Sequence, residues 1–206
     1  MLTKTKVIKV RATFIGELLG TSSANPELHA EFIASKAPDA PSMREEIDAI
    51  GVEGVENKSK TVFPVDEEGN PILWDYQVKG FFKGVCGFLR NVPGSESSKI
   101  KNYKKKLDGL LFVEPRRIPL QFPGGQIDVG SCQRPLRAET MRGERVALAN
   151  SETAPAGTVI EFDVRILDPS LEEFVYEALD YGELSGIGQW RNSGKGRFAW
   201  DEREKE

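Results

Sequence analysis

The chain has 206 residues, 39% of them hydrophobic, which is enough for one large domain with a sizeable core. No stretch approaches the roughly 20 consecutive apolar residues that span a bilayer, and the start leads into no apolar signal segment. A cytoplasmic protein without membrane association is therefore expected. The net charge of −4 excludes a protein that coats nucleic acid with its whole surface. Charge is uneven, however. Trp74 to Arg145 carries 14 Lys/Arg against 7 Asp/Glu, and the remainder carries 14 against 25. A localised polyanion-binding face on an acidic body would have this pattern, as would ordinary solvated surface.

Cys86 and Cys132 are far apart, so no disulfide framework or zinc site is expected, and both read as small buried hydrophobes. His29 is the only histidine, which excludes chemistry that needs two. No cofactor or metal motif occurs.

In chain order, Val7 to Phe14 alternates apolar and polar residues and predicts a half-buried strand. Helices are predicted over 27–37 and over 42–50, the second opening with a Ser42/Glu45 capping box. Thr61-Val62-Phe63 and Ile72-Leu73-Trp74 read as strands around an acidic turn. Tyr76 to Asn91 places Val78, Phe81, Phe82, Val85, Phe88 and Leu89 on one face of an amphipathic helix. Glycines within that helix cost stability, which points to close packing there. The lysine run 99–106 and the Pro/Gly-rich stretch 114–134 read as loops with a β excursion. Thr158 to Leu167 is the clearest strand, with Ile160, Phe162, Val164 and Ile166 on one face. Pro169 and Ser170 cap a helix over 171–184, and a glycine-rich turn precedes a last strand, Gly196 to Trp200. This order predicts an α+β fold: a ferredoxin-like, split βαβ antiparallel sheet with helices on one face and long inserted loops.

The most informative segment is Ser185 to Phe198, in which Gly186-Ile187-Gly188 is followed by Gly194-Lys195-Gly196 and an aromatic. Glycines there admit positive φ and close backbone approach. Arg191, Lys195 and Arg197 put cations around a loop whose amides are expected to face phosphate. It is not a P-loop, because no G-K-[ST] follows, nor a dinucleotide fingerprint, because it follows a helix instead of opening one.

A helix followed by this pattern in the final quarter resembles the glycine-rich loop of the RAMP superfamily, the RNA-binding proteins of CRISPR effector complexes. Pro71 through Lys83 looks like the Lys-Gly opening of that family's first helix, here ending at Arg90. Arg134 to Thr140, continuing through Ala156-Gly157-Thr158 to Phe162, is similar to the stretch leading into its penultimate strand. The resemblance covers most of the chain in order; it departs at Trp74-Asp75-Tyr76-Gln77, where the family carries a small-residue turn.

The resemblance implies one RAMP-like domain over 1–206, with a helical insertion near 25–60 and a thumb-like loop/β insertion near 92–157. It places Lys79, Lys83 and Arg90 along an RNA backbone. It packs the loop glycines Gly186, Gly188, Gly194 and Gly196 by the first helix, contributing Arg191, Lys195 and Arg197. Arg134 and Arg137, with Arg142 and Arg145, fall in a polar segment similar to the family's thumb, which separates guide bases. Trp190 is the stacking candidate, whereas Phe81 shares the apolar helix face and reads as core.

Three functions follow as expectations. The first is a non-catalytic module for single-stranded nucleic acid, RNA before DNA, assembling with its own copies or CRISPR effector subunits. The second is a RAMP-like interaction protein, phage-borne, that mimics or blocks an effector subunit. The third is a guide-type endoribonuclease using His29 beside Glu27 and Glu31.

Overall fold

Period-2 strands and two amphipathic helices build the core of this protein. The computed structural model describes residues 5–24, 60–140 and 143–203. The helices expected over 27–37 and 42–50, and His29 with its neighbouring acids, lie outside the described residues.

The chain opens with β1 (Lys6–Phe14), the short β2 (Leu18–Leu19) and β3 (Ser22–Ser23), then β4 (Lys60–Val62) and β5 (Ile72–Trp74). Helix α1 (Asp75–Leu89) and helix α2 (Tyr103–Leu110) lead into β6 (Leu111–Glu114) and β7 (Arg117–Pro119). A long hairpin follows, β8 (Gly130–Thr140) and β9 (Gly143–Ala154), and then β10 (Val159–Ile166). Helices α3 (Glu172–Asp180) and α4 (Gly182–Ser185) precede the last strand, β11 (Phe198–Glu202).

The main sheet is antiparallel in the order β11-β1-β10-β6. With α1 after β1 and α3 after β10, this is the βαββαβ ferredoxin-like arrangement expected from the sequence. Its register is fixed by the apolar face. Ile8, Val10, Ala12 and Phe14 of β1 lie beside Ile160, Phe162, Val164 and Ile166 of β10, all fully buried. A one-residue slip would turn all of them to solvent. Lys6 pairs with Ile166 and Thr13 with Val159. The opposite face carries ion pairs, Arg11–Glu161 at 3.1 Å and Arg165–Glu114 at 2.9 Å. Such exposed pairs contribute about 0–1 kcal/mol each.

Helices cover the apolar face. Val78, Phe81, Phe82, Val85 and Cys86 of α1 are buried, as are Phe174, Val175, Ala178 and Leu179 of α3. Edge-on ring contacts join them: Phe82 to Phe174 at 6.5 Å and Phe81 to Phe198 at 5.3 Å. Phe81 is thus a core residue.

Several expectations need correction. Phe88 shares the apolar period of α1 but is 58% exposed, because it borders an opening with Leu184 and Trp190 instead of the sheet. Close packing explains only Gly87, where an added Cβ would sit 3.0 Å from the Tyr103 hydroxyl; Gly80 has nothing within 4 Å. Lysines 104–106 are not loop but belong to α2, anchored by Leu107 in the core. Cys132 is not buried: it lies half-exposed on β8, whereas Cys86 is buried. The polar segment holding Arg134 and Arg137 forms a strand of the β8–β9 hairpin, whose register runs from Gly130↔Thr153 to Thr140↔Gly143. The hairpin joins a second sheet through β9, which pairs with β2 and β4. Among the described residues no helix is long and apolar enough to cross a membrane.

The 3-10 turn Pro169–Leu171 that leads into α3 is capped by Asp168, one residue before the expected Pro169 and Ser170. Helix α3 itself starts after Leu171 with no side-chain cap. The Asp168 carboxylate accepts from the Ser170 amide at 3.0 Å and meets Lys106 Nζ at 2.9 Å. Hydrogen bonds from Lys106, then Ser170, hold its pKa down at about 2, from an ordinary 3.8. A depressed folded pKa stabilises above the unfolded value and loses that contribution as pH falls through the folded one. With a third of the side chain exposed, the charge is worth about 1 kcal/mol. Asp168→Asn, which retains capping ability, is expected to cost about that much at pH 7 in urea unfolding. The difference should vanish between 3.8 and about 2; a pH-independent difference would refute the ion-pair account.

Candidate nucleic-acid interface

The glycine segment folds back on itself and is stitched to the turn after β1. The Ile187 amide donates to the Gly196 carbonyl at 2.8 Å, and the Gly196 amide donates to the Glu17 carbonyl at 2.8 Å. The Ile15 amide donates to the Arg197 carbonyl at 2.8 Å. The expected array of free amides for phosphate is therefore absent at Ile187 and Gly196, which are bonded internally. What the glycines supply is close backbone approach. Gly196 has φ +70°, and a Cβ there would lie 1.8 Å from the Ile187 carbonyl oxygen. Gly186, at φ +68°, would place a Cβ 2.4 Å from the Gly196 carbonyl carbon.

The doubled loop sits against the first helix, as expected. The Arg191 guanidinium reaches to within 3.6 Å of where a Cβ on Gly84 of α1 would be. Between loop and helix runs a groove of about 460 Å³, lined among others by Thr21, Ser22, Gln77, Gly80, Gly188 and Arg191. The missing side chain at Gly80, where an added Cβ would meet nothing within 4 Å, gives it room. Hydroxyls, a carboxamide and a guanidinium give it hydrogen-bonding walls, and none of these six is acidic. Such a surface suits a sugar–phosphate backbone.

Sequence reasoning missed Gln77, Thr21 and Ser22. Gln77 Oε1 accepts from the Trp74 amide at 2.7 Å, and its Nε2 donates to Thr21 Oγ1, tying the helix start to the segment after β2. Gln77 is three residues beyond Trp74, the residue before the helix; that capping-box position was the signal that could have found it.

The expected cations scatter. Arg191 alone of them lines the groove. Lys79 Nζ donates to the Asp108 carbonyl at 2.8 Å and lies 4.8 Å from the Phe112 ring centre. Burial pushes its pKa below the ordinary lysine value, with Asp108 opposing. Lys83 pairs with the Asp108 carboxylate at 2.8 Å. Arg90 lies over the Tyr103 ring, 5.6 Å from its centre. Lys195 pairs with Glu17, and Arg197 Nε donates to the Glu183 carbonyl. Arg137 stands opposite Val146 in the hairpin. Gly194, at φ +78°, ends the single 3-10 turn Arg191–Ser193.

Arg134 is only 6% exposed. Its guanidinium donates to Ser151 Oγ at 3.0 Å and Gln189 Oε1 at 2.8 Å, and lies 5.2 Å from the Trp190 ring centre. It braces the glycine loop from the hairpin side. Trp190 itself is 36% exposed in a left-handed conformation, φ +55°. It borders an opening with Phe88, Leu184 and Arg191. Among the described residues no cluster of three metal-ligating side chains occurs.

No protein-family model matches the chain, and no curated protein matches its sequence. Solved structures do. A chain of the Type III-B Cmr-beta complex bound to cognate target RNA aligns at TM-score 0.53 and 10% identity, covering 98% of this chain. This chain spans 60% of that one. A chain of a Type IV-B CRISPR complex aligns at TM-score 0.50 and 12% identity, covering 97% of this chain and 91% of that one. Identity this low speaks to architecture. The chain has a ferredoxin-like α+β fold that it shares with chains of CRISPR complexes.

Proposed function

We propose that this protein is a non-catalytic module that holds single-stranded nucleic acid, RNA in preference to DNA, along the groove between α1 and the glycine loop. The carrying observation is the groove itself: it is open at Gly80, bordered by Gly188, walled by Thr21, Ser22 and Gln77, and served by one loop cation, Arg191. The fold shared with a chain of an RNA-bound complex supports the reading. Backbone contacts would dominate, so affinity would depend strongly on salt and little on sequence. Trp190, partly exposed beside Arg191, would offer a face on which a base stacks.

Fluorescence anisotropy with labelled single-stranded RNA, single-stranded DNA and duplex, at about 50 and 200 mM salt, tests this. RNA is expected to bind tightest, weaken with salt and remain intact on a gel. Arg191→Glu should cost about tenfold in affinity or more, because it replaces a phosphate donor with a repelling charge. No binding at low salt, or indifference to Arg191→Glu, would overturn the groove assignment. Cleavage that His29→Ala abolishes would favour the ribonuclease reading.

A second reading is that the protein docks on CRISPR effector subunits or occupies the place of one. Its favouring observation is the match in size, 91% of a Type IV-B complex chain. Pull-down against purified effector subunits, with RNase-treated samples as control, tests it; capture that survives RNase supports docking, and no capture removes it.

A further inference from the structure

The far end of α1 carries a second concavity, of about 820 Å³, lined by Arg90, Asn91, Ser98, Lys101, Lys104 and Lys105, among others. No described carboxylate lines it. This contrasts with six other lysines among the described residues. Lys6, Lys60, Lys83, Lys99, Lys106 and Lys195 each meet an Asp or Glu side chain. Lys101, Lys104 and Lys105 meet none among the described residues. Arg90 lies over the Tyr103 ring, which fixes the guanidinium at the cleft without neutralising it. Four cations around one concavity in a chain of net charge −4 repel one another and favour an anion with several negative charges. Asn91, Asn102 and Ser98 add neutral polar groups at the same cleft.

We infer that this cleft is a second phosphate-binding site, which takes the backbone of the same nucleic-acid strand after it leaves the glycine-loop groove. The inference rests on the strand-binding reading above. Gly80 in the groove and Arg90 in the cleft are ten residues apart on one helix, a separation of ~15 Å at 1.5 Å per residue. A stacked strand advances ~3.4 Å per phosphate, so about four phosphate steps, or roughly five nucleotides, bridge the two sites. A stacked tetranucleotide, whose three phosphate steps span roughly 10 Å, therefore fills the groove without reaching the cleft, and a dodecanucleotide reaches both.

The experiment compares labelled RNA 4-mers and 12-mers on the wild-type protein and on the triple variant Lys101→Ala, Lys104→Ala, Lys105→Ala, across a salt series. All three side chains are exposed, so the melting curve is expected to be unchanged. The 12-mer should lose about tenfold in affinity or more, and its log K against log salt slope should shrink by about 2, for three lost contacts. The 4-mer should bind both proteins equally. A 12-mer that binds both proteins with the same affinity and slope overturns the cleft and leaves the groove standing. A 4-mer that fails to bind, with a 12-mer lost only in the triple variant, overturns the groove and leaves the cleft. Neither oligonucleotide binding the wild-type protein overturns both.

Discussion

Gly196→Ala is expected to be among the most damaging single substitutions in the chain, at about 4 kcal/mol. Two costs add. At φ +70° an L-side chain is strained, and the new methyl would lie 1.8 Å from the Ile187 carbonyl oxygen, which nothing flexible can relieve. The obstacle is backbone, and that backbone is held by the Ile187 amide donating to Gly196. Relief would break this bond and the one from Gly196 to Glu17, releasing the loop from the turn after β1. Gly69→Ala separates the two costs. It has φ +83° but open space around it, so only the conformational cost of about 1 kcal/mol applies. Thermal melts should show a drop of roughly 10 °C or more for the first variant and a few degrees for the second. Equal effects would mean that close approach is not what the loop requires.

Glu177→Ala is expected to cost about 3 kcal/mol and to loosen the far end of α1. The Glu177 carboxylate accepts from the Glu96 amide at 2.7 Å, the Ser97 amide at 2.9 Å and the Ser97 hydroxyl at 2.6 Å. Ser97 is fully buried, so truncation leaves its donors without water or partner. This staple on α3 fixes the turn between α1 and α2, and with it Ser98 at the rim of the basic cleft. Cys86 reports on the same place. Its thiol lies 4.0 Å from the Ser97 carbonyl oxygen, and burial pushes its pKa up to about 11. In the wild-type protein at pH 8 a thiol reagent should label only the half-exposed Cys132 readily. In the variant Cys86 should label with it, and the urea midpoint should fall. Glu177→Gln, which keeps one acceptor oxygen, should lie between. An unchanged midpoint together with a protected Cys86 would show that the turn holds without the carboxylate.

The sheet strands were legible because they carry a local signal. Period-2 alternation marks β1 and β10, and the 3.6-residue period marks α1 and the first turns after Asp168. The βαββαβ order then admits few topologies. The glycine loop was legible as an object, although not in its detail: spacing located Gly186 and Gly196, whereas which amides remain free depends on where the Glu17 and Ile187 backbones arrive. Helix α2 was missed because its lysines mask an apolar anchor, Leu107, that makes sense only beside the core. Phe88 was misassigned for the converse reason. Its period is right, but the sheet it would cover does not extend that far.

By itself the sequence determined the fold class, the core faces of the central strands and the position of the glycine loop. Tertiary structure decided which cations are available. Lys79 and Lys83 come together on Asp108, Lys195 meets Glu17, and Arg134 is buried against Ser151 and Gln189. Arg191 is left to the groove, and Arg90 with Lys101, Lys104 and Lys105 to the cleft. The reason is physical. Periodicity is a property of neighbours along the chain, whereas the partner of a charge is set by folding across 178 positions, as for Lys195 and Glu17. A lysine in a sequence states a charge; only the packed structure states whether that charge is already answered.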